Sequence, residues 1–261
     1  MMFSLCIFNR HLLKIKALNY IPVGLGKDNF SNEWLRDNTK ENISYKNKYY
    51  GEYTFHYWFW KNMIDEIEKN TWLGFCGYRY FWKKNRGPFE GDLKNNILQK
   101  PPEEWLNYDS IVADPINLEK IKLSKIIKNG GLSFFLNPQT YNFKKKNIKF
   151  HFDVFHGKEL LDQAIELLDD QNREDFKAYT RENHSFHKWN MFICRSQSLI
   201  KNYYESIFSW LFKCEKIFGF DLEGYAKTRI YGFLAERYLS YWFLKYTKSL
   251  SWPVFKYDID K

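Results

Sequence analysis

The sequence lacks the signatures that would place it at once in a zinc-bound, secreted or membrane-spanning class. Its four cysteines lie far apart in 261 residues and none forms a CxxC pair, so neither a zinc cluster nor a dense disulfide framework is supported. No apolar run approaches the roughly 20 residues that span a bilayer, and the N-terminal MMFSLCIFNRHLLKIK lacks a basic start and a small-residue cleavage site. We therefore expect a cytoplasmic protein, free or at the inner face of the cell membrane.

Aromatic and basic residues, in contrast, are abundant. Phe, Tyr and Trp make up 20% of the chain, and each can bury on the order of 150–250 Å², so a large core is available and disorder is excluded. Forty Lys and Arg against 31 Asp and Glu give a formal charge of +9. This charge favours an anionic partner such as a nucleotide, a phospholipid surface or a nucleic acid, although a solvated lysine-rich surface is the simpler explanation.

Short β-prone apolar runs alternate with amphipathic stretches. Aromatic residues at three- and four-residue spacing predict a helix from Tyr53 to Ile67, and similar patterns predict helices over 198–218 and 228–246. Residues 129–155 are predicted to be irregular or a hairpin, with alternation in their second half. Buried strands are predicted at FSLCIF near the N terminus and at residues 71–81, 108–115 and 189–195.

This order of elements predicts an α/β fold. We expect a mixed, mostly parallel sheet flanked by helices, followed by a helical C-terminal part. A chain of 261 residues is near the upper limit for one hydrophobic core, so a single domain over residues 1–261 is favoured over two.

Four sequence blocks carry a resemblance to a known family. Asp37–Asn62 is similar to DNIS-x-KN-x-x-Y-x-E-x-T-x-x-YW-x-WKN, and Leu73–Phe81 is similar to IGLCHYRRYF. Asn190–Ile193 and Arg229–Arg237, the latter similar to R-x-x-GFL-x-ER, follow in the same order. Together, over about residues 37–245, these blocks resemble a bacterial family of capsular and exopolysaccharide biosynthesis proteins, a domain of unknown function considered glycosyltransferase A-like.

The resemblance implies a glycosyltransferase that moves a sugar from a nucleotide-sugar donor to a lipid-linked or polysaccharide acceptor. Such an enzyme would take part in capsule, lipopolysaccharide or exopolysaccharide synthesis. Peripheral contact with the membrane is left open. The nucleotide-sugar part would lie at about residues 1–120, and the acceptor-side, helical part at about 121–261.

One departure keeps a second class open. Residues 77–80 read Gly-Tyr-Arg-Tyr, where the family usually has His-Tyr-Arg-Arg. Gly77 and Tyr80 therefore replace a histidine and an arginine. The absence of these two polar side chains is compatible with a catalytically inactive scaffold of the same polysaccharide locus. Nucleic-acid binding is a less favoured alternative, because the aromatics fall at helical core spacing rather than forming a stacking surface.

A glycosyltransferase must also neutralise a departing diphosphate. Where the glycosyltransferase A arrangement usually has an Asp-x-Asp metal site, the aligned segment from Cys76 to Tyr80 has no carboxylate. Arg79 is therefore predicted to bind phosphate with its planar guanidinium group, and Tyr78 is predicted to contact substrate. An equally open alternative is that Arg79 pairs with a buried carboxylate. The sequence identifies no certain cofactor and leaves a divalent cation, Mn²⁺ or Mg²⁺, open. Asp114 is the fallback ligand for that cation, and an ordinary turn residue before proline is the alternative role.

Glu236 is the predicted general base. It shares one helical face with Arg229 and Phe233, so its carboxylate can face the cleft and take the acceptor proton. Arg237 or Arg229 would orient it or hold the leaving phosphate. The alternative is an ordinary Glu–Arg ion pair on a helix.

Polar residues in the blocks are predicted to bind substrate. Glu52 begins the aromatic helix, where the helix dipole also favours a carboxylate. Histidines cluster in the second half of the chain, but their HxDxxH and HxxH spacings suit no common zinc site. A hydrogen-bonded structural histidine is the more frequent case. The substrate-binding candidates are Asp37, Asn42, Asn47, Glu52, Tyr78, His156, His187, Asn190 and Arg229.

Overall fold

The computed structural model describes residues 1–130 and 146–260, so much of the predicted irregular stretch, residues 131–145, lies outside the described residues. The described strands are β1 (Met2–Cys6), β2 (Ile21–Gly24), β3 (Leu35–Arg36), β4 (Leu73–Gly77), β5 (Tyr80–Trp82), β6 (Ser110–Ala113), β7 (Pro115–Asn117), β8 (Ser185–His187), β9 (Phe192–Cys194), β10 (Ser249–Trp252) and β11 (Val254–Lys256). The described helices are α1 (Leu12–Ala17), α2 (Asn47–Tyr50), α3 (Tyr53–Asn62), α4 (Leu93–Asn96), α5 (Leu123–Gly130), α6 (Ile148–His156), α7 (Leu160–Ile165), α8 (Asp170–Glu182), α9 (Gln197–Phe218), α10 (Tyr225–Thr228) and α11 (Ile230–Tyr246).

The main sheet has the strand order β10-β6-β9-β4-β1-β2-β3, and the β5 and β11 strands extend it beyond β4. Strands β3, β2, β1 and β4 run parallel, as do β6 and β10, while β9 is antiparallel to both of its neighbours. A short separate ribbon pairs β7 with β8. The predicted mixed, mostly parallel sheet flanked by helices is confirmed.

Apolar side chains cover both faces of the sheet, which explains why its strands are continuous apolar runs. Successive residues alternate between the faces. Phe75 of β4 and Phe192 of β9 pack in the layer that includes α3, α9 and α11, whereas Cys76 and Ile193 pack in the layer on the other side. Among residues 1–130 and 146–260, no helix is both long enough and apolar enough to cross a membrane.

The alternating segment after residue 146 forms helix α6 rather than the predicted irregular or hairpin structure. Asn147 caps this helix, since its side-chain oxygen accepts a hydrogen bond of 2.8 Å from the Phe150 backbone N–H. The helix is buried on most of its circumference, with Ile148, Phe152 and Val154 all covered. A helix that is buried all round carries no 3.6-residue polar stripe, so alternation in its sequence is misleading.

Three predicted strands are shorter than expected. The run at 71–81 breaks at Tyr78 and Arg79, where β4 turns back into β5. The run at 108–115 ends at Ala113, and 189–195 becomes a strand only at Phe192. Five strands described by the structure were not predicted at all: β2, β3, β8, β10 and β11, the last two of which return the chain to the sheet after α11.

Candidate functional site

A cleft of about 400 Å³ opens where the parallel strands β1 and β4 end. Leu5 and Gly77, at the ends of these strands, line it together with Asn190 from the segment before β9. Strand β1 is followed by β2 on one side and pairs with β4 on the other. In open α/β sheets, ligands bind at such a reversal of strand order.

The cleft brings together residues from distant parts of the chain. Of the site residues that the sequence analysis singled out, Asp37, Asn42, Asp114, His156, His187 and Arg237 do not line it. Those that do line it are Asn47, Glu52, Tyr78, Arg79, Asn190, Arg229 and Glu236.

Glu236 projects from α11 into the cleft with 14% of its side chain exposed. Its Oε1 accepts a 2.7 Å hydrogen bond from the Trp189 backbone N–H, and its Oε2 pairs with the Arg237 guanidinium. Burial raises the pKa of Glu236 above its usual 4.5, while Arg237 and the Trp189 amide oppose the rise. A carboxylate held in this way is fixed in position and is a stronger proton acceptor than an exposed one.

Arg237 lies behind Glu236 and is buried to 1% exposure. Its Nη2 is 3.0 Å from His151 Nδ1 and 3.2 Å from His156 Nε2, and its guanidinium stacks 4.2 Å from the Phe186 ring centroid. Burial and the Arg237 charge hold the pKa of both histidines well below the usual value, so they are neutral and accept hydrogen bonds. His156 therefore contacts the arginine that supports Glu236, not the cleft.

Glu52 forms a second polar cluster in the cleft. Its Oε1 accepts a 2.8 Å hydrogen bond from Asn190 Nδ2, and its Oε2 lies 3.5 Å from Arg229 Nη2. The same Asn190 amide donates to the Gly232 carbonyl of α11 over 3.2 Å. These contacts tie the start of α3 to α11 and to the segment before β9.

Trp189 and Asn190 are consecutive residues in the left-handed region, with φ of +74° and +50°. This conformation is costly for residues with a Cβ. It is held by the Trp189 N–H bond to Glu236 and by stacking of the Trp189 ring on Tyr80, with centroids 4.5 Å apart. The backbone turn thus links the two carboxylates and exposes an aromatic pair to the cleft.

Arg79 lies at the turn between β4 and β5. Its side chain is exposed, with its guanidinium carbon 4.8 Å from the Tyr78 ring centroid, and its backbone carbonyl accepts from the Tyr257 N–H. Both Arg79 and Tyr78 line the cleft. Buried-carboxylate pairing, the alternative role for Arg79, is not observed among the described residues.

The chain matches a family model over residues 8–248, and the family is described as a domain of unknown function, DUF4422. This protein belongs to the DUF4422 family. A comparison with curated proteins finds no match.

A solved structure supports the fold of this DUF4422 chain. The apo structure of WbbM, a bifunctional glycosyltransferase, resembles it with a TM-score of 0.62 over 97% of this chain, at 17% sequence identity. The likeness covers 45% of WbbM, so the chain spans less than half of that protein. At this identity the comparison establishes a shared fold.

The loop residues of the first block have different surroundings. Asn47 lines the cleft, and its Nδ2 donates to the Gly51 carbonyl over 2.9 Å. Asn42 folds back on its own loop, where Oδ1 accepts from both the N–H and the hydroxyl of Ser44. Asp37 is buried away from the cleft, and burial raises its pKa.

The remaining candidates also lie outside the cleft. His187 is buried, and its Nδ1 hydrogen-bonds the Ala113 carbonyl, as a structural histidine does. Asp114 follows β6 as predicted, but it is half exposed and lies 4.0 Å from Arg86 Nη1. In the described part of the chain, no three His, Cys, Asp or Glu side chains converge as metal ligands.

Several cleft residues were missed by sequence reasoning: His56, Gly51 and Trp189. A signal existed for two of them. His56 follows Glu52 by four residues and therefore shares its helical face. Gly51 is the one residue of its turn that adopts positive φ without strain. Trp189 had no such signal, because its position depends on a turn that only the packed structure imposes.

Gly51→Ala tests the Glu52 cluster. At φ +59° a Cβ would be strained, and it would overlap Arg229 Nη2. We expect the variant to displace Arg229 from Glu52 and to lower the free energy of unfolding by more than about 1 kcal/mol, measured by urea titration.

Gly219→Ala is the matched control, because its φ is +61° and an added Cβ meets nothing within 4 Å. It carries the same backbone cost without the clash. Equal losses in the two variants would show that displacing Arg229 from Glu52 costs no measurable stability.

Proposed function

We propose that this protein is a glycosyltransferase that transfers a sugar from a nucleotide-sugar donor to a lipid-linked or polysaccharide acceptor. Capsule, lipopolysaccharide or exopolysaccharide synthesis is the process in which we place it. The observation that carries the proposal is the cleft, where two carboxylates, Glu52 and Glu236, converge with Arg79 and Arg229 at the C-terminal edge of the sheet. The fold shared with WbbM supports the same class of reaction.

Glu236 is the group best suited to remove the acceptor proton. It faces the cleft, its burial raises its affinity for a proton, and both of its oxygens are oriented by fixed donors. Arg237 does not reach substrate in this arrangement; it is a positioning residue that holds the carboxylate in place.

Arg79 is the group best suited to the departing diphosphate. An exposed guanidinium at the end of β4 can reach a ligand in the cleft, and its planar fork matches phosphate oxygens. Arg229, which lies beside Glu52, adds a second positive charge to the cleft. The attacking oxygen displaces the nucleoside diphosphate at the anomeric carbon, while Glu236 takes the acceptor proton.

The sugar itself would be held by the Trp189 side of the cleft. The stacked Tyr80 and Trp189 rings offer an apolar surface to a sugar ring, and Glu52 and Asn190 offer hydrogen bonds to hydroxyls. Asn47 and Tyr78 are further contacts on the cleft surface.

We further propose a single domain over residues 1–261, with the donor part at about 1–120 and the acceptor part at about 121–261. In support, cleft residues come from both parts, as Arg79 and Glu236 illustrate. The charge of +9 would favour peripheral contact with an anionic membrane at its inner face.

The carboxylates do not fit a divalent cation in this arrangement. The oxygens of Glu52 and Glu236 already face N–H donors, and Asp114 lies outside the cleft. Each carboxylate also lies beside an arginine, Arg229 or Arg237, whose charge would repel a cation bound there. The proposed transfer therefore uses arginine charges rather than a metal at the diphosphate.

Two other classes have less support. An inactive scaffold would not need a buried carboxylate facing a cleft with its own buried arginine. A nucleic-acid-binding protein would present aromatic side chains for stacking, whereas most aromatic residues here, including Trp82, Trp105 and Trp252, are buried in the core.

Thermal stability measured against a panel of sugar nucleotides, with and without Mn²⁺, tests the function. We expect one donor class to stabilise the protein saturably, by about 2.7 kcal/mol at 100 times its dissociation constant. Stabilisation by none of the donors would contradict the proposal, and binding of single-stranded nucleic acid with steep salt dependence would favour the other class.

Arg79→Ala and Asp114→Ala separate the two modes of diphosphate binding. We expect Arg79→Ala to abolish the donor-induced shift and Asp114→Ala to leave it intact without Mn²⁺, because the guanidinium lines the cleft and the carboxylate does not. The reverse pattern, with a shift that appears only when Mn²⁺ is added, would assign the diphosphate to a metal held by Asp114.

A further inference from the structure

Two buried polar atoms that line the cleft have no hydrogen-bond partner among the described residues. They are His56 Nε2 and Asn190 Oδ1, on side chains exposed by 0% and 6%. Buried polar groups are nearly always paired, because an unpaired one loses its hydration without gaining a hydrogen bond. Two such atoms in one cleft indicate that something bound there completes them.

The orientation of the Asn190 amide is fixed by its neighbours. Its Nδ2 donates to Glu52 Oε1 over 2.8 Å and to the Gly232 carbonyl over 3.2 Å. Both neighbours can only accept, so the amide cannot be reversed. The free atom is therefore the oxygen, which accepts a hydrogen bond.

The protonation of His56 follows from Tyr204. Its Nδ1 lies 2.8 Å from the Tyr204 hydroxyl, for which the described residues provide no other partner. The hydroxyl proton then points to Nδ1, which leaves the ring proton on Nε2. Burial against Phe75 and Phe192 lowers the pKa of His56 to about 3, so the ring is neutral and Nε2–H is a donor.

Both atoms belong to cleft residues that hydrogen-bond Glu52. The His56 N–H donates to the Glu52 carbonyl over 3.3 Å, so the two residues are one helical turn apart, and Asn190 hydrogen-bonds the Glu52 carboxylate. The His56 ring also stacks at 5.7 Å on Phe192, two residues after Asn190. The free donor thus belongs to the residue one helical turn after Glu52, and the free acceptor belongs to the amide that binds the Glu52 carboxylate.

We infer that His56 Nε2 and Asn190 Oδ1 form a subsite that recognises a sugar hydroxyl, an inference that rests on the proposed glycosyltransferase function. A hydroxyl both donates and accepts, so one hydroxyl or two adjacent ones satisfy both atoms. Ionised phosphate and carboxylate oxygens can only accept, and an ammonium group can only donate. The hydroxyl belongs to the donor sugar or to the acceptor sugar.

Monodeoxy sugars test the subsite in wild type and in His56→Phe. One arm uses uridine-, guanosine- and thymidine-diphosphate hexoses with their monodeoxy forms, and the other uses monosaccharide acceptors with theirs. We expect one deoxy position, in one arm, to lower kcat/KM by about 10- to 100-fold in wild type. The same deoxygenation should cost less than about twofold in His56→Phe.

Tyr53→Phe is the matched control, because it removes a hydroxyl that pairs with Tyr203 in the core, on the same helix but away from the cleft. It should keep the wild-type preference. If His56→Phe does not fold, Asn190→Gly is the second variant. Glycine adopts the φ of +50° at this position without strain, and the substitution removes the acceptor oxygen. It should lose the same preference.

The outcomes separate the two claims. If no sugar nucleotide binds wild type, the proposed function itself fails. If sugar nucleotides bind but every deoxy form behaves alike in wild type and variant, water satisfies the two atoms and the subsite is overturned.

Discussion

Glu236→Gln is expected to lower kcat by about 10²- to 10⁴-fold, the range for loss of a positioned general base. Glutamine keeps the shape of the side chain and can still accept from the Trp189 N–H, so donor binding should change little. The expected result is therefore a large fall in kcat with a nearly constant KM for the donor, measured by steady-state transfer assays.

The pH profile gives a second measurement on the same residue. A base must be deprotonated, and burial raises the pKa of Glu236 above 4.5. In wild type, kcat/KM should rise with pH through that raised pKa, so its acidic limb should lie above the range of an ordinary glutamate. Glu236→Gln should lose this limb.

Glu205→Gln is the matched control, since it makes the same change at an exposed position on α9 outside the cleft. It should leave kcat and the acidic limb unchanged. If Glu236→Gln retains wild-type kcat, Glu236 is not the base, and its pairing with Arg237 is only structural.

Arg237→Met is expected to destabilise the protein by about 3–5 kcal/mol, because it leaves the Glu236 carboxylate buried without its charged partner. It also removes hydrogen bonds to His151 and His156. The free energy of unfolding from urea titration at neutral pH measures the loss. Arg79→Met, at an exposed arginine, should stay within about 0.5 kcal/mol of wild type.

The double variant Glu236→Gln/Arg237→Met distinguishes an ion pair from simple packing. If the two charges stabilise each other, the double variant should be about 1–3 kcal/mol more stable than the sum of the two single losses predicts. Additive losses would mean that Arg237 stabilises the core through its contacts with Phe186 and the histidines alone.

Local sequence patterns predicted the fold class because they report burial directly. The apolar runs of β1 and β4 and the helical spacing in α3, α9 and α11 were all recognisable, as buried strands and amphipathic helices require. The patterns failed for α6 because that helix is buried on most sides. They also failed for β10 and β11, which are brief strands after a long helix.

The candidate site was predicted in part for the same reason. The face shared by Arg229 and Glu236 follows from helix geometry, and both line the cleft. The position of Asp114 at a strand end does not predict that it lies outside the cleft. Its distance from the cleft depends on the strand order, in which β9 separates β6 from β4 and β1.

The sequence by itself determined a basic, aromatic-rich α/β protein without close cysteine pairs or a long apolar run, and it carried the blocks of the DUF4422 family. Only the tertiary structure decided that Glu52, Asn190 and Glu236 meet, and that Arg237 lies behind the last of them with two neutral histidines. These contacts join residues more than 40 positions apart, and the left-handed turn at Trp189 donates its N–H to Glu236. Local periodicity contains no information on such pairings, since they arise from packing of the whole chain.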